Sequence, residues 1–209
     1  MKQKIGILDY GAGNMINVSR AVEHLGYKFE LVSSPFELSR VNKLIMPGVG
    51  AFPVAMDNLG KLGLIDFIIE FANEGNPILG ICLGMQMLFE KSSEKGITSG
   101  LGLLKGSIKK IPSDSETKSV IKIPHIGWNN LIINDSENEL VKNINISDSV
   151  YFVHSYMAVD YSKESLIASC SYGGYNIPAI VQNKNITGCQ FHPEKSGKVG
   201  LKILENFLK

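Results

Sequence analysis

Cys82 stands at the centre of Gly80-Ile81-Cys82-Leu83-Gly84. A thiol with glycines two residues to either side, between an apolar run (77–81) and a stretch of helical period (85–91), has the form of a nucleophile elbow with cysteine in the serine position. Such a turn holds the nucleophile in a strained backbone conformation, and small flanking residues avoid collision with neighbouring strands. The helix that follows would aim its amino terminus at the sulfur and favour the thiolate. A free cysteine that simply packs in a core fits the same five residues, so the pentapeptide alone leaves both readings open.

His192-Pro193-Glu194 narrows the choice. In an extended segment, side chains two apart point the same way, and Pro193 stiffens that geometry. A carboxylate so placed can fix the tautomer of the imidazole and offset its charge after it takes a proton. Cys82, His192 and Glu194 therefore form a candidate triad for covalent attack on a carbonyl. Pro47-Gly48-Val49-Gly50, directly after a strand-like run, could turn backbone N–H groups toward an oxyanion, together with the N–H of Leu83. Without the triad, the same four residues would read as a plain strand-ending turn.

Other motifs carry less. Gly11-Ala12-Gly13 has the start of a dinucleotide fingerprint, but Ile16 replaces its third glycine, which argues against a nucleotide cofactor. Cys189 and His192 have ligand-like spacing without a second pair, so no metal is expected. Cys170 and Cys189 lie in strand-like runs and read as core; His24 reads as structural or solvated.

The elements that must position the triad follow from periodicity. Strands are predicted over 4–8, 29–32, 43–46 and 77–81, and helices over 17–25, 64–72 and 85–91. This alternation implies right-handed crossovers and a mostly parallel central sheet flanked by helices, an α/β fold. From residue 101 the pattern turns strand-rich, predicting additional antiparallel strands over 106–111, 130–133, 150–159, 166–171, 179–182 and 187–191. Gly173-Gly174 and residues 183–185 supply turns. A helix is predicted over 197–208, and the polar stretch 113–119 reads as a mobile loop. Nothing in 209 residues forces a second domain.

Composition bounds the function classes. With 21 Lys and Arg against 20 Asp and Glu, and no basic stripe, nucleic-acid binding is not expected. No apolar run approaches the roughly 18 residues of a spanning helix, and the amino terminus is too short in apolar residues for a signal peptide. Three widely spaced cysteines suggest neither a disulfide framework nor zinc, which fits a cytoplasmic chain.

The elbow extended to Met85-Gln86, together with Gln190-Phe191-His192-Pro193-Glu194, resembles the signatures of class I (triad) glutamine amidotransferases, whose fold is flavodoxin-like. Four further blocks bring it nearer to the glutaminase subunits of imidazole glycerol phosphate synthases. They are Asp9-Tyr10-Gly11-Ala12-Gly13-Asn14, Pro47-Gly48-Val49-Gly50, Pro124-His125-Ile126-Gly127-Trp128-Asn129 and Tyr151-Phe152-Val153-His154-Ser155-Tyr156. Lys195-Ser196 fits the same branch, and the resemblance covers essentially the whole chain.

The resemblance implies that Cys82 attacks the side-chain amide of glutamine while His192 moves the proton and Glu194 orients it. It implies oxyanion donors among Gly48, Val49, Gly50 and Leu83. Gln86, Glu94, Ser155 and Tyr156, with Gly50, would line the glutamine pocket. Asn14, Trp128, Tyr151 and Lys195 would face a partner, a cyclase subunit with a (β/α)8 barrel supplied by another chain, in a heterodimer for histidine biosynthesis. The loop over 47–50 would switch an N–H into the oxyanion hole when the partner binds its substrate. A paralogue feeding ammonia to another synthase, such as a nucleotide-sugar amidotransferase, shares the same triad. A catalytically silent subunit would have no need of all three triad residues.

Overall fold

A computed structural model describes residues 4–11, 14–113, 121–145 and 147–209. The expected loop over 113–119 lies, apart from Ser113, outside the described residues, as do Ala12 and Gly13 of the first glycine motif.

In chain order the first half runs β1 (Ile5–Leu8), α1 (Met15–His24), β2 (Phe29–Val32), α2 (Pro35–Leu38), β3 (Lys43–Met46), α3 (Phe52–Lys61), α4 (Ile65–Asn73), β4 (Ile78–Ile81) and α5 (Leu83–Met87). There follow β5 (Phe89–Ser92), β6 (Thr98–Ser99), β7 (Leu104–Lys110), β8 (His125–Asn130), β9 (Ile132–Ile133), β10 (Ser149–His154) and β11 (Tyr156–Val159). Last come β12 (Leu166–Tyr172), β13 (Tyr175–Asn183), β14 (Ile186–Cys189) and α6 (Gly197–Leu208).

Eight strands form the main sheet in the order β2-β1-β3-β4-β14-β13-β12-β9. The first five are mutually parallel, and β13, β12 and β9 add antiparallel neighbours. This is the α/β sheet with antiparallel additions that the sequence predicts. Every residue of β1, β3, β4 and β14 is buried, because helices cover both faces of the parallel half. On one face Ile5, Ile7 and Ile45 pack with Val18 and Val22 of α1 and Ile203 and Leu204 of α6. On the other, Leu8, Leu44 and Met46 pack with Ala55 and Leu59 of α3 and Ile68 and Phe71 of α4.

Three local expectations are corrected. The predicted helix over 85–91 stops at Met87, and Phe89 begins a strand. The carbonyls of Met87, Leu88 and Phe89 accept from the N–H groups of Leu101, Leu104 and Gly102 instead of from the next helical turn. Those partners are distant in sequence, so local periodicity could not reveal them. Second, the predicted strand over 150–159 is split into β10 and β11. Ser155 leaves the ladder at that break, and its carbonyl accepts from Ile111 N–H.

Third, His192 is extended but Pro193–Lys195 is a 3-10 turn, so the same-side geometry expected for His192 and Glu194 does not come from a strand. The turn is closed by Lys195 N–H to His192 O at 3.0 Å and Ser196 N–H to Pro193 O at 3.2 Å. Besides β5, the elements α2, α3, β6 and β8 went unpredicted. In α3, Pro53 falls where a missing N–H costs nothing, and β8 exists by virtue of its antiparallel pairing with β10.

Candidate active site

β3, β4 and β14 run parallel, so their carboxyl ends come to one edge of the sheet, where ligands of open α/β sheets bind. Pro47–Gly50 follows β3, Cys82 follows β4, and Gln190–His192 follows β14. At this edge lies a cavity of about 310 Å³ lined by Val49, Gly50, Cys82, Leu83, Gln86, Glu94, Pro124, Val153, His154, Ser155, Tyr156 and His192. The fold thus gathers nearly every residue that the sequence singled out for attack, oxyanion binding and substrate binding. A larger depression of about 560 Å³ around Lys43, Pro77 and Asn185 opens at the other end of the same strands. It holds no cysteine or histidine, and its buried Lys43 Nζ is bonded to Phe207 O at 2.8 Å.

Cys82 has φ 55° and ψ −108°, left-handed backbone for a residue that is not glycine. It is held there by its N–H bonded to Cys189 O at 2.7 Å and its carbonyl accepting from Gln86 N–H at 3.1 Å. The flanking glycines have steric reasons to be bare. A Cβ on Gly84 would sit 1.8 Å from Met46 O, and one on Gly80 would sit 2.6 Å from Gly84 O. These are the collisions that the elbow pattern foretells. The five-residue α5 begins immediately after the sulfur.

His192 Nδ1 donates to Glu194 Oε1 at 2.8 Å, with both side chains almost fully buried. That bond places the proton on Nδ1 and leaves Nε2 as the free lone pair of the neutral ring. Nε2 makes no well-aligned hydrogen bond, yet it is close enough to Cys82 to be influenced by it. Burial alone would lower the imidazole, but contacts with Cys82 and Glu194 outweigh it and raise His192 to about 9. His154, in the same cavity, is pushed the other way, down to about 3, chiefly by burial. Two histidines with pKa values driven apart have separate roles. His192 can hold a proton at neutral pH, and His154 stays an uncharged strut bonded to Tyr156 O at 2.8 Å and to His125 at 3.0 Å.

Gln86 is buried, and its Nε2 donates to Tyr156 O at 3.2 Å and Gln190 Oε1 at 3.1 Å. Both amide hydrogens are thereby used, leaving the carbonyl oxygen as its remaining polar atom. Glu94 Oε2 accepts from Phe52 N–H at 2.8 Å, with the carboxylate on the cavity wall. Gly48 is not on the wall; its carbonyl accepts from Leu83 N–H at 3.3 Å. Because a trans peptide sets C=O and N–H in opposite directions, Val49 N–H points away from Leu83 in this arrangement.

Trp128 and Tyr151 are register partners on β8 and β10, with ring centroids 6.0 Å apart. Trp128 is 55% exposed and Ile126 57%, so the indole is not part of the core. Asn14 precedes α1, which packs against the turn carrying Glu194 and the exposed Lys195. Cys170 and Cys189 are fully buried, as read from the sequence, and His24 is exposed. Sequence reasoning missed His154, Val153, Gln190 and Tyr10 as parts of the site. For His154 a signal existed: the strict alternation of β10 turns Val150, Phe152 and His154 inward.

The family model "Glutamine amidotransferase class-I" matches residues 6–209. "Imidazole glycerol phosphate synthase subunit HisH 1" of Legionella pneumophila (strain Lens) is 46% identical over 210 residues, covering 98% of each chain. Subunit HisH of Bacillus subtilis (strain 168) is 45% identical, covering 98% of this chain and 95% of its own. Among solved structures, PurLQS from Thermotoga maritima superposes with a TM-score of 0.75 at 19% identity, covering 100% of this chain and 98% of that one, a likeness of fold. The chain therefore belongs to the class I glutamine amidotransferases and, within them, to the HisH subunits of imidazole glycerol phosphate synthase.

Proposed function

We propose that this chain, acting as one glutamine amidotransferase domain in the cytoplasm, hydrolyses glutamine with Cys82 as nucleophile and passes the ammonia to a separate cyclase subunit. The observation that carries the reading is the strained Cys82, held on the cavity wall beside a histidine that a buried glutamate orients. His192 Nε2 takes the thiol proton first, giving a thiolate beside an imidazolium, and Cys82 Sγ then attacks the side-chain amide carbon. The tetrahedral oxyanion is met by backbone N–H groups. His192 returns the proton to the leaving nitrogen, and ammonia departs from a glutamyl thioester. Water, deprotonated by His192, then attacks the thioester and releases glutamate and the free thiol. Glu194 keeps Nδ1–H engaged throughout, so Nε2 is the atom that exchanges protons. The Gln86 carbonyl, the Glu94 carboxylate and the turn at Ser155 and Tyr156 supply the polar contacts for glutamine.

The oxyanion hole is built from Leu83 N–H and an N–H of the loop over 47–50. In the resting geometry Leu83 N–H is occupied by Gly48 O. Turning the Gly48–Val49 peptide over frees Leu83 N–H and swings Val49 N–H into the cavity. One such donor is worth roughly 3 kcal/mol, about two orders of magnitude in rate, enough for a gate. Trp128, Tyr151, Asn14 and Lys195 form the surface that meets a (β/α)8-barrel cyclase, whose own ligand opens the gate. No helix among the described residues is long and apolar enough to cross a membrane.

The experiment is glutamate release from glutamine by the chain mixed with its cyclase subunit and imidazole glycerol phosphate. Release should depend on both additions, and Cys82→Ala should lower it by about 10⁴-fold or more. Release that survives Cys82→Ala would exclude the mechanism. Release seen only with a different synthase would identify the acceptor as another pathway's.

A further inference from the structure

Two successive carbonyls of the oxyanion loop are tied down in different ways. Gly48 O is held by Leu83 N–H at 3.3 Å, the bond that must break for the gate to open. Pro47 O accepts a buried hydrogen bond of 2.9 Å from the Tyr10 hydroxyl. Tyr10 is only 3% exposed. Its backbone carbonyl accepts from Asn58 Nδ2 at 3.0 Å, and Asp9 N–H before it is bonded to Val32 O at 2.7 Å. The ring therefore projects from a fixed point at the end of β1. Burial, and next the nearby Cys82, push the phenol above its usual range, so it remains a donor at any working pH.

The phenol also explains Gly48. A Cβ there would lie 2.5 Å from Tyr10 Oη, so the hydroxyl occupies the space that any side chain would need. On the near side of the moving peptide, Pro47 has its φ set by its ring and its carbonyl set by Tyr10. On the far side, Gly50 has φ +107° with nothing within 4 Å of a built Cβ, so it is free to absorb rotation.

We propose that Tyr10 is a positioning residue for the oxyanion loop: by fixing the Pro47 carbonyl, it confines the rearrangement to the Gly48–Val49 peptide and so sets where Val49 N–H arrives. This rests on the gated-glutaminase reading above. Without the hydroxyl, Pro47 O is a buried acceptor with no partner, and the Pro47–Gly48 plane turns with its neighbour. The donor then reaches the cavity at scattered positions, and oxyanion stabilisation is sensitive to displacements of about 1 Å.

The test compares wild type and Tyr10→Phe in complex with the cyclase subunit, with and without imidazole glycerol phosphate. Glutamate release and amide hydrogen exchange at Leu83 are both followed. Tyr10→Phe should lower the ligand-stimulated kcat about tenfold, with KM for glutamine within about twofold because the substrate contacts are untouched. The unstimulated rate should change less, so the stimulation ratio shrinks, and Leu83 N–H should exchange faster. Asn58→Ala, which loosens Tyr10 without stranding the Pro47 carbonyl, should show the same pattern more weakly, and it serves if Tyr10→Phe fails to fold. A stimulation ratio and Leu83 exchange equal to wild type would overturn the role of Tyr10 while leaving the glutaminase reading intact. Wild type that shows no stimulation at all would instead overturn the gate itself.

Discussion

On the sulfur side of the cavity, Cys82 is fixed by a 2.7 Å bond to Cys189 O, by glycines packed against backbone, and by a histidine locked to Glu194 at 2.8 Å. On the loop side, the Gly48–Val49 peptide is held by one 3.3 Å bond, Val49 is 41% exposed, and Gly50 faces open space. In the proposed mechanism, the groups that exchange protons and bonds are over-determined, and the group that only stabilises charge is left movable. On that proposal, a glutaminase built this way carries a fully assembled nucleophile and withholds one donor, so a partner could regulate it without disturbing the triad.

The sharpest way to break that contrast is to delete the movable donor. Val49→Pro removes the N–H, and ligand-stimulated glutamate release should fall by about 10² to 10³-fold. The unstimulated rate, which does not use that donor, should stay nearly unchanged. Equal losses in both would mean that the loop is no gate. The glycines of the two sides give the next test. Gly84→Ala drives a Cβ into Met46 O and should lower the free energy of unfolding by about 3 kcal/mol or more. Gly50→Ala meets only backbone strain in an open loop, and should cost about 1 kcal/mol. Urea titration of both variants reads the difference.

A further test is in pH. His192 is raised to about 9 in the folded chain, above its unfolded value near 6.5. Its contribution to stability is therefore fully present below about pH 6.5 and is lost as pH rises through about 9. Denaturation midpoints should decline over that interval in wild type and more shallowly in His192→Gln. A parallel decline in both would show that the imidazole is not held as described.

The fixed side is also the side legible in the sequence. Gly80, Cys82 and Gly84 declare the elbow because their types and spacing sit within five residues, although the atom that Gly84 avoids, Met46 O, belongs to a neighbouring strand. His192 and Glu194 were recognisable as partners, although a 3-10 turn, not strand alternation, brings them together. The parallel strands were visible as short apolar runs because both faces are covered. Less was visible where partners come from afar. The strand at Phe89 depends on pairing with Leu104, and β8 depends on β10. Tyr10, 37 residues from the carbonyl it holds, had no local mark beyond its place in a motif.

Trapping the intermediate tests a gated nucleophile most directly. The chain, its cyclase subunit and labelled glutamine are mixed, quenched in acid within one turnover, and digested for mass spectrometry. A glutamyl thioester should be found on the peptide containing Cys82, abundant with imidazole glycerol phosphate and scarce without it. Label on Cys170 or Cys189, or glutamate release with no label on Cys82, would contradict the central claim.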